Sequence, residues 1–457
     1  MKDEKQLKRE TMMGTMPIPP LVVKMAIPSV ISMLITTIYN LADTFFVNFL
    51  GLSAVAAVGV NSSLDQMIMM AGSLYAVGSA SYVSRLLGMG KKEKADEVLS
   101  TAFFTAFITG LIIAILGFTF MQPLVRLLGA TDSCEAYSIQ YASYILYAAP
   151  FMACNFVMNQ VLRAEGSAIR SMFGMAFGGI LNVVLDPIFI FVFDLGVAGA
   201  SMATAISKMV TFCILIYPYI RKKTLVTISL RKIHYELNSI REVVSVGSSS
   251  LFRSAFAIIA AMLLNRAAGQ ISDSCLAAIT ATTRIMNLPF FTILGFSTGF
   301  QPVAGYNWGA KKYARVRESY RFSTMVCVTA AAISGLIMFI WAGPIINVFN
   351  SENNAEMLEL GKLCLRLQSI ALPPHAWCSV VNMLCASLGR AKEAVILSTG
   401  RQGHCFIPLV FILPPLFGAI GIVSVQAIAD TLMMLITIPI IIRVSRDIKR
   451  HELETAQ

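Results

Sequence analysis

The chain has 457 residues, 56% of them hydrophobic and 13% charged, with a mean hydropathy of +0.71 and a net charge of +11. Soluble chains carry about 25% charged residues, so this composition excludes an ordinary globular domain. It predicts an all-α integral membrane protein.

The chain starts with a charged segment, MKDEKQLKRE, followed by an apolar stretch from Leu21 that is too long for a signal-peptide core. The first helix is therefore expected to be retained. Apolar stretches of bilayer length recur from there on. They predict twelve helices, at about 24–49, 53–83, 96–120, 136–162, 170–193, 197–220, 241–266, 273–303, 319–341, 356–386, 393–415 and 419–444. The division is a first lobe over 1–220, a basic linker over 221–241 and a second lobe over 242–457. The linker, RKKTLVTISLRKIHYELNSIR, is long enough to include an interfacial helix lying on anionic lipid.

With the N-terminus in the cytoplasm, the inner segments hold 29 of the 36 basic residues, whereas the outer loops hold about two, Arg126 and Arg266. This is the positive-inside asymmetry, and it predicts cytoplasmic termini in a plasma membrane. It also accounts for the basic charge without nucleic acid. The nine cysteines form no CxxC pair and the four histidines are scattered, so neither a disulfide framework nor a zinc site is expected.

The chain repeats itself. GSASYVSRLLG (78–88) matches GFQPVAGYNWG (299–309), NQVLRAEG (159–166) matches NMLCASLG (382–389), and GVAG at 196 matches GAIG at 418. The offsets are 221, 223 and 222. A nearly constant offset predicts two pseudo-symmetric six-helix lobes. Six is even, so the lobes are parallel, with substrate bound between them.

Charges at bilayer depth are costly and mark ion or substrate sites. Asp43 (TTIYNLADTFFV) and Asp186 (GGILNVVLDPIFIF) are two such residues, with no Lys or Arg nearby in sequence. Counting from the expected outer helix ends, Asp43, Asp186 and Thr204 share a depth of roughly 9–11 Å. Asn182 stacks one turn from Asp186. These oxygens suit Na+ or a proton. Pro187 is expected to kink the fifth helix. The second half has Pro408, His404 and about Ala261 at the repeat-equivalent positions, so an equivalent pocket is not expected there. Asp65 and Arg284 occupy nearly equivalent repeat positions, and either pair across the lobes, as a gate or as a static structural pair, or line the cavity. Lys208, Arg253, Lys362 and Arg366 read as snorkelling or locally paired, and Arg163 with Glu165 as a local pair. Met and Phe residues are expected to line part of the cavity between the lobes.

ADTFFVNFLG (42–51), NQVLRAEG (159–166), LNVVLDPIFIF with DLGVAGAS (181–201) and GFQPVAGYNWGA (299–310) occur in this order, and together they resemble the multidrug and toxic compound extrusion family, in its bacterial DinF and MepA-type branch. The resemblance spans about 20–450. It implies antiport of amphipathic or cationic drug-like compounds against Na+ or H+, by a monomer in contact with membrane lipid and without another cofactor. It also implies that the coupling ion binds at Asp43, Asn182, Asp186 and Thr204, with Asn159 in the same neighbourhood. A flippase for lipid-linked or polysaccharide precursors is the alternative. It calls for extra helices and a strongly cationic cavity, neither visible in the sequence. A membrane enzyme lacks a motif here, and a symmetric channel is disfavoured by the unequal halves.

Overall fold

The chain is described here as a computed structural model covering residues 11–350 and 354–456, and the described residues include no strand. A backbone in lipid must satisfy its own hydrogen bonds, and the helix does so within one segment. The first lobe contains α1 (Ile18–Asn48), α2 (Leu52–Gly88), α3 (Lys92–Thr119), α4 (Glu135–Ala164), α5 (Ala168–Pro187) and α6 (Gly196–Ile220). The second contains α7 (Leu237–Gly269), α8 (Asp273–Gly309), α9 (Tyr313–Ile340), α10 (Ala355–Ser387) and two further spans. Of these, α11 starts as Ala391–Thr399, passes through a π-helical stretch at Gly400–His404 and enters Phe406–Ala456. That last helix breaks at Gly418 (φ 57°, ψ −134°), a conformation only glycine adopts readily, and 419–456 form α12.

Among the described residues, nine helical segments are long and apolar enough to cross a membrane by length and composition. The segment Ala391–Thr455 counts once there but contains two spans, and α2 and α10 are as long but less apolar. The layout is thus twelve spans in two six-helix lobes. Several helices run further than hydropathy predicts: α2 reaches Gly88 and α8 reaches Gly309. Hydropathy marks the slab of chain within the lipid, and these helices continue beyond it.

Large apolar side chains such as Ile112, Ile115, Phe173, Phe177, Leu336 and Ile337 are exposed, as expected of surfaces that meet lipid. Of those nine segments α4 is the best buried, with 78% of its apolar window inside the protein, which puts it at the centre of the first lobe.

The lobes meet at the end that carries the basic loops, and the contacts are reciprocal. A Cβ on Gly309 would lie 2.0 Å from the carbonyl oxygen of Arg85, and one on Gly88 would lie 2.1 Å from that of Tyr306. Gly78 packs on Val243 of α7 and Gly299 on Ala26 of α1 in the same reciprocal manner, as do Gly247 on Leu74 and Gly295 on Val30. The repeated glycines of the two matching motifs are therefore the points where the lobes touch. Ser81 Oγ also donates to the Ala386 carbonyl (2.5 Å), Arg85 pairs with Glu242 (2.7 Å), and Lys312 donates to the Gly14 carbonyl (2.7 Å). Further along α1, Ile38, Leu41 and Phe45 are exposed.

The linker contains no interfacial helix, contrary to the option read from its sequence. Before α7 begins at Leu237, its one helical element is a single 3-10 turn, Leu230–Lys232. Leu225 and Val226 are buried in the first lobe. Carboxylates of that lobe take the linker's backbone donors: Glu165 accepts from Leu225 N–H (2.7 Å) and Asp96 from Thr227 N–H (2.7 Å). Asp96 also pairs with Lys232 (2.5 Å), and Glu236 with Lys94 (3.0 Å). Hydrogen bonds from Lys94 and then Ser239 hold the Glu236 carboxyl below its ordinary range. With its donors satisfied in this way, the segment has no need of helical hydrogen bonds.

Candidate functional site

The site lies in the first lobe. Pro187 has no N–H to give to the Val183 carbonyl, and five residues of π-helix, Ile188–Val192, follow it. Asp186 sits at this transition, wholly buried. One turn earlier, the Asn182 amide donates to Asp186 Oδ1 (3.2 Å) and to Thr204 Oγ1 on α6 (3.2 Å). Tyr141 on α4 is buried beside Thr204, within the electrostatic reach of Asp43, Asp65 and Asp186. Asp43 and Asp186 are within each other's reach as well.

Four acceptor oxygens here are sequestered and have no hydrogen-bond donor among the described residues: Asp43 Oδ1, Asp65 Oδ1, Asn182 Oδ1 and Asp186 Oδ2. Unsatisfied acceptors at this depth favour a cation or a proton. Carboxylate, amide and hydroxyl oxygens are also the donor types that a hard cation takes, so the residues fit Na+ as well as H+. No group of three or more His, Cys, Asp or Glu among the described residues has metal-binding geometry, so a three-acid cage is not part of the site.

A cavity of about 150 Å³ adjoins these groups. Asn159, Asn182, Thr204, Lys208 and Arg163 line it, with Met33, Met69, Met152 and Met175 as apolar wall. The carboxylates are not in its lining, so Asn182 and Thr204 stand between cavity and acids. Asn159 Oδ1 accepts from Arg163 Nη2, while its own amide nitrogen has no acceptor among the described residues. Arg163 thus turns to Asn159, while Glu165 takes linker N–H groups, so the expected Arg163–Glu165 pair is corrected.

Lys208 also departs from expectation. It is one turn past Thr204 and points inward, its ammonium donating to Tyr39 Oη (2.8 Å) and lying 4.9 Å from that ring's centroid. Its charge acts on Asp65. The carboxylates therefore have a cation nearby, supplied by a different helix. Lys208 and Tyr39 were legible at i+4 and i−4 from Thr204 and Asp43, whereas nothing in the sequence singles out Tyr141.

Asp65 and Arg284 do not pair. Asp65 joins the first-lobe carboxylates, while Arg284 is exposed on α8 and makes no ion pair among the described residues. The second lobe is built differently. Its repeat-equivalent positions hold no carboxylate, but it encloses a cavity of about 390 Å³ containing the buried ion pair Arg401–Asp430 (2.6 Å).

Two pseudo-symmetric lobes of membrane-spanning helices, each with ionisable groups buried in it, define a membrane transporter rather than an enzyme. The MatE family model matches residues 28–188 and 250–412, and the chain belongs to that family. It is similar to the multidrug export protein MepA of Staphylococcus saprophyticus, with 28% identity and 90% of each chain covered. MepA of Staphylococcus aureus strain MSSA476 is 26% identical over the same share of both chains. Among solved structures, an outward-facing multidrug resistance MATE transporter of the MOP superfamily is 26% identical with a TM-score of 0.88, covering 94% of this chain and 96% of that one.

Proposed function

We propose that the chain is a multidrug efflux transporter that exports amphipathic, often cationic organic compounds in exchange for Na+ or H+. The observation that carries this reading is the set of four donor-less acceptor oxygens on Asp43, Asp65, Asn182 and Asp186. A driving cation or proton satisfies them, and Asn182 and Thr204 pass the change to the adjoining cavity. The multidrug export activity of the MepA relatives supports the substrate class.

The positive-inside asymmetry assigns the basic loops, both termini and the closed end of the lobes to the cytoplasm. The arrangement described is then the outward-facing state, in which the carboxylates are reached from outside. The lobes 1–220 and 242–457 rock about 221–241, and the protein acts as a monomer in the plasma membrane. An ion drives the switch only by binding one state better than the other.

The test is drug uptake into proteoliposomes under a pH gradient alone and then a sodium gradient alone. One gradient should drive transport, and Asp186→Asn should abolish it. Equal transport by Asp186→Asn, or none under either gradient, refutes the reading.

A further inference from the structure

The second-lobe cavity also holds charged groups. Arg401 and Asp430 neutralise one another within it: Nε meets Oδ1 at 2.6 Å and Nη2 meets Oδ2 at 3.5 Å. Gln426 gives Asp430 a further donor at 3.2 Å, and the Arg401 guanidinium lies 4.3 Å from the centroid of the Phe290 ring. His375 is set edge-on to Phe290 and shares a 3.4 Å contact with Ser379.

Arg253 is the charge left over. It lines the same cavity, and its single hydrogen bond among the described residues runs from Nη2 to Ser250 Oγ (3.1 Å). No carboxylate among the described residues pairs with it. It stands sixteen residues from either end of Leu237–Gly269, about 24 Å along the helix, so its side chain cannot snorkel to either surface. Arginine stays charged and has five N–H donors in a planar fork, of which one is used. A guanidinium lining a cavity, with donors to spare, selects a planar anion that accepts two parallel hydrogen bonds. Phe290 and Phe291 form aromatic wall in the same cavity, whose volume falls in the range of organic-ligand pockets.

We propose that this cavity binds the carboxylate of an amphipathic aromatic anion or zwitterion, with Arg253 as its anchor and the phenylalanines against its ring. That the bound molecule is cargo rests on the efflux reading. The binding itself does not, because it needs neither gradient nor ion.

The test uses the full chain in phosphatidylcholine nanodiscs, with 7-methoxycoumarin-4-acetate as fluorescent probe and its methyl ester as the uncharged control. Empty discs correct for partitioning. The carboxylate should bind at least about tenfold tighter than the ester. Arg253→Gln should remove that preference and leave ester binding unchanged, while Arg253→Lys retains part of it. Asp186→Asn should leave the preference intact, which separates failure here from failure of the ion site. If Arg253→Gln does not fold, photolabelling of the unmodified chain with an azidobenzoate decides. Labels on α7, α8, α10 or α11 uphold the proposal, and labels confined to the first lobe overturn it. Equal affinity for acid and ester, or full acid affinity in Arg253→Gln, also overturns it.

Discussion

Gly309 of α8 rests against the carbonyl oxygen of Arg85 on α2, and the related contact of Gly88 with Tyr306 repeats it from the other lobe. A side chain cannot enter either contact without moving a backbone. Gly309→Val should therefore hold the lobes apart at the basic-loop end and deplete the outward-facing state. Overpacking of this kind costs about 1–3 kcal/mol, enough to shift a two-state balance roughly 5- to 150-fold. Spin labels on the cytoplasmic ends of α2 and α8 should report longer distances. Unchanged distances would remove these glycines from the switch.

Asp43→Asn and Asp186→Asn should each abolish ion-driven efflux without loss of protein from the membrane. Asn182→Ala is expected to be milder. It removes one donor to Asp186 and one to Thr204, worth about 1 kcal/mol each and therefore roughly tenfold or more in ion affinity together. Efflux at saturating and limiting ion separates these outcomes.

Lys208 places a fixed positive charge beside the site. Lys208→Met should raise apparent affinity for the driving cation, by about tenfold if the repulsion removed is 1–2 kcal/mol. Tyr39→Phe, which loses the partner at 2.8 Å, should act in the same direction less strongly. Ion titration of transport reads both effects, and reduced affinity in Lys208→Met would contradict the account.

In the second lobe, Arg401→Ala leaves Asp430 buried and unpaired. Loss of one partner from a buried pair costs about 3–5 kcal/mol, and replacement of both costs less. Thermal unfolding of the detergent-solubilised protein should show Arg401→Ala well below Arg401→Met combined with Asp430→Leu.

Asp96→Ala removes the acceptor that Thr227 and Lys232 share. The linker should then become susceptible to trypsin at Arg221–Lys232, with the first lobe intact. Resistance equal to the unmodified chain would show the carboxylate to be dispensable.

Twelve spans, two lobes and the stacking of Asn182 on Asp186 were legible because helix periodicity and bilayer length are local properties. The repeat was legible too, but near-equivalence within it does not bring Asp65 and Arg284 together as a pair. Residues related by a pseudo-two-fold touch only near the axis: Gly88 and Gly309 are there, whereas Arg284 is exposed on its own lobe. Lys208 was visible, but its place beside the carboxylates was not, because a lone lysine gives no sign of which way its helix faces. Tyr141, and the Arg253 cavity, depend on how whole helices dock, which sequence spacing does not encode.

The segment joining the halves is fastened to the first lobe up to Glu236, and α7 starts one residue later. No slack remains at the corner where α3 and α7 converge. In the proposed rocking of the lobes that corner is the fulcrum: a swing of one bundle against the other begins there at nearly zero amplitude and widens toward the far face. The largest displacements therefore fall on spans remote from the tether.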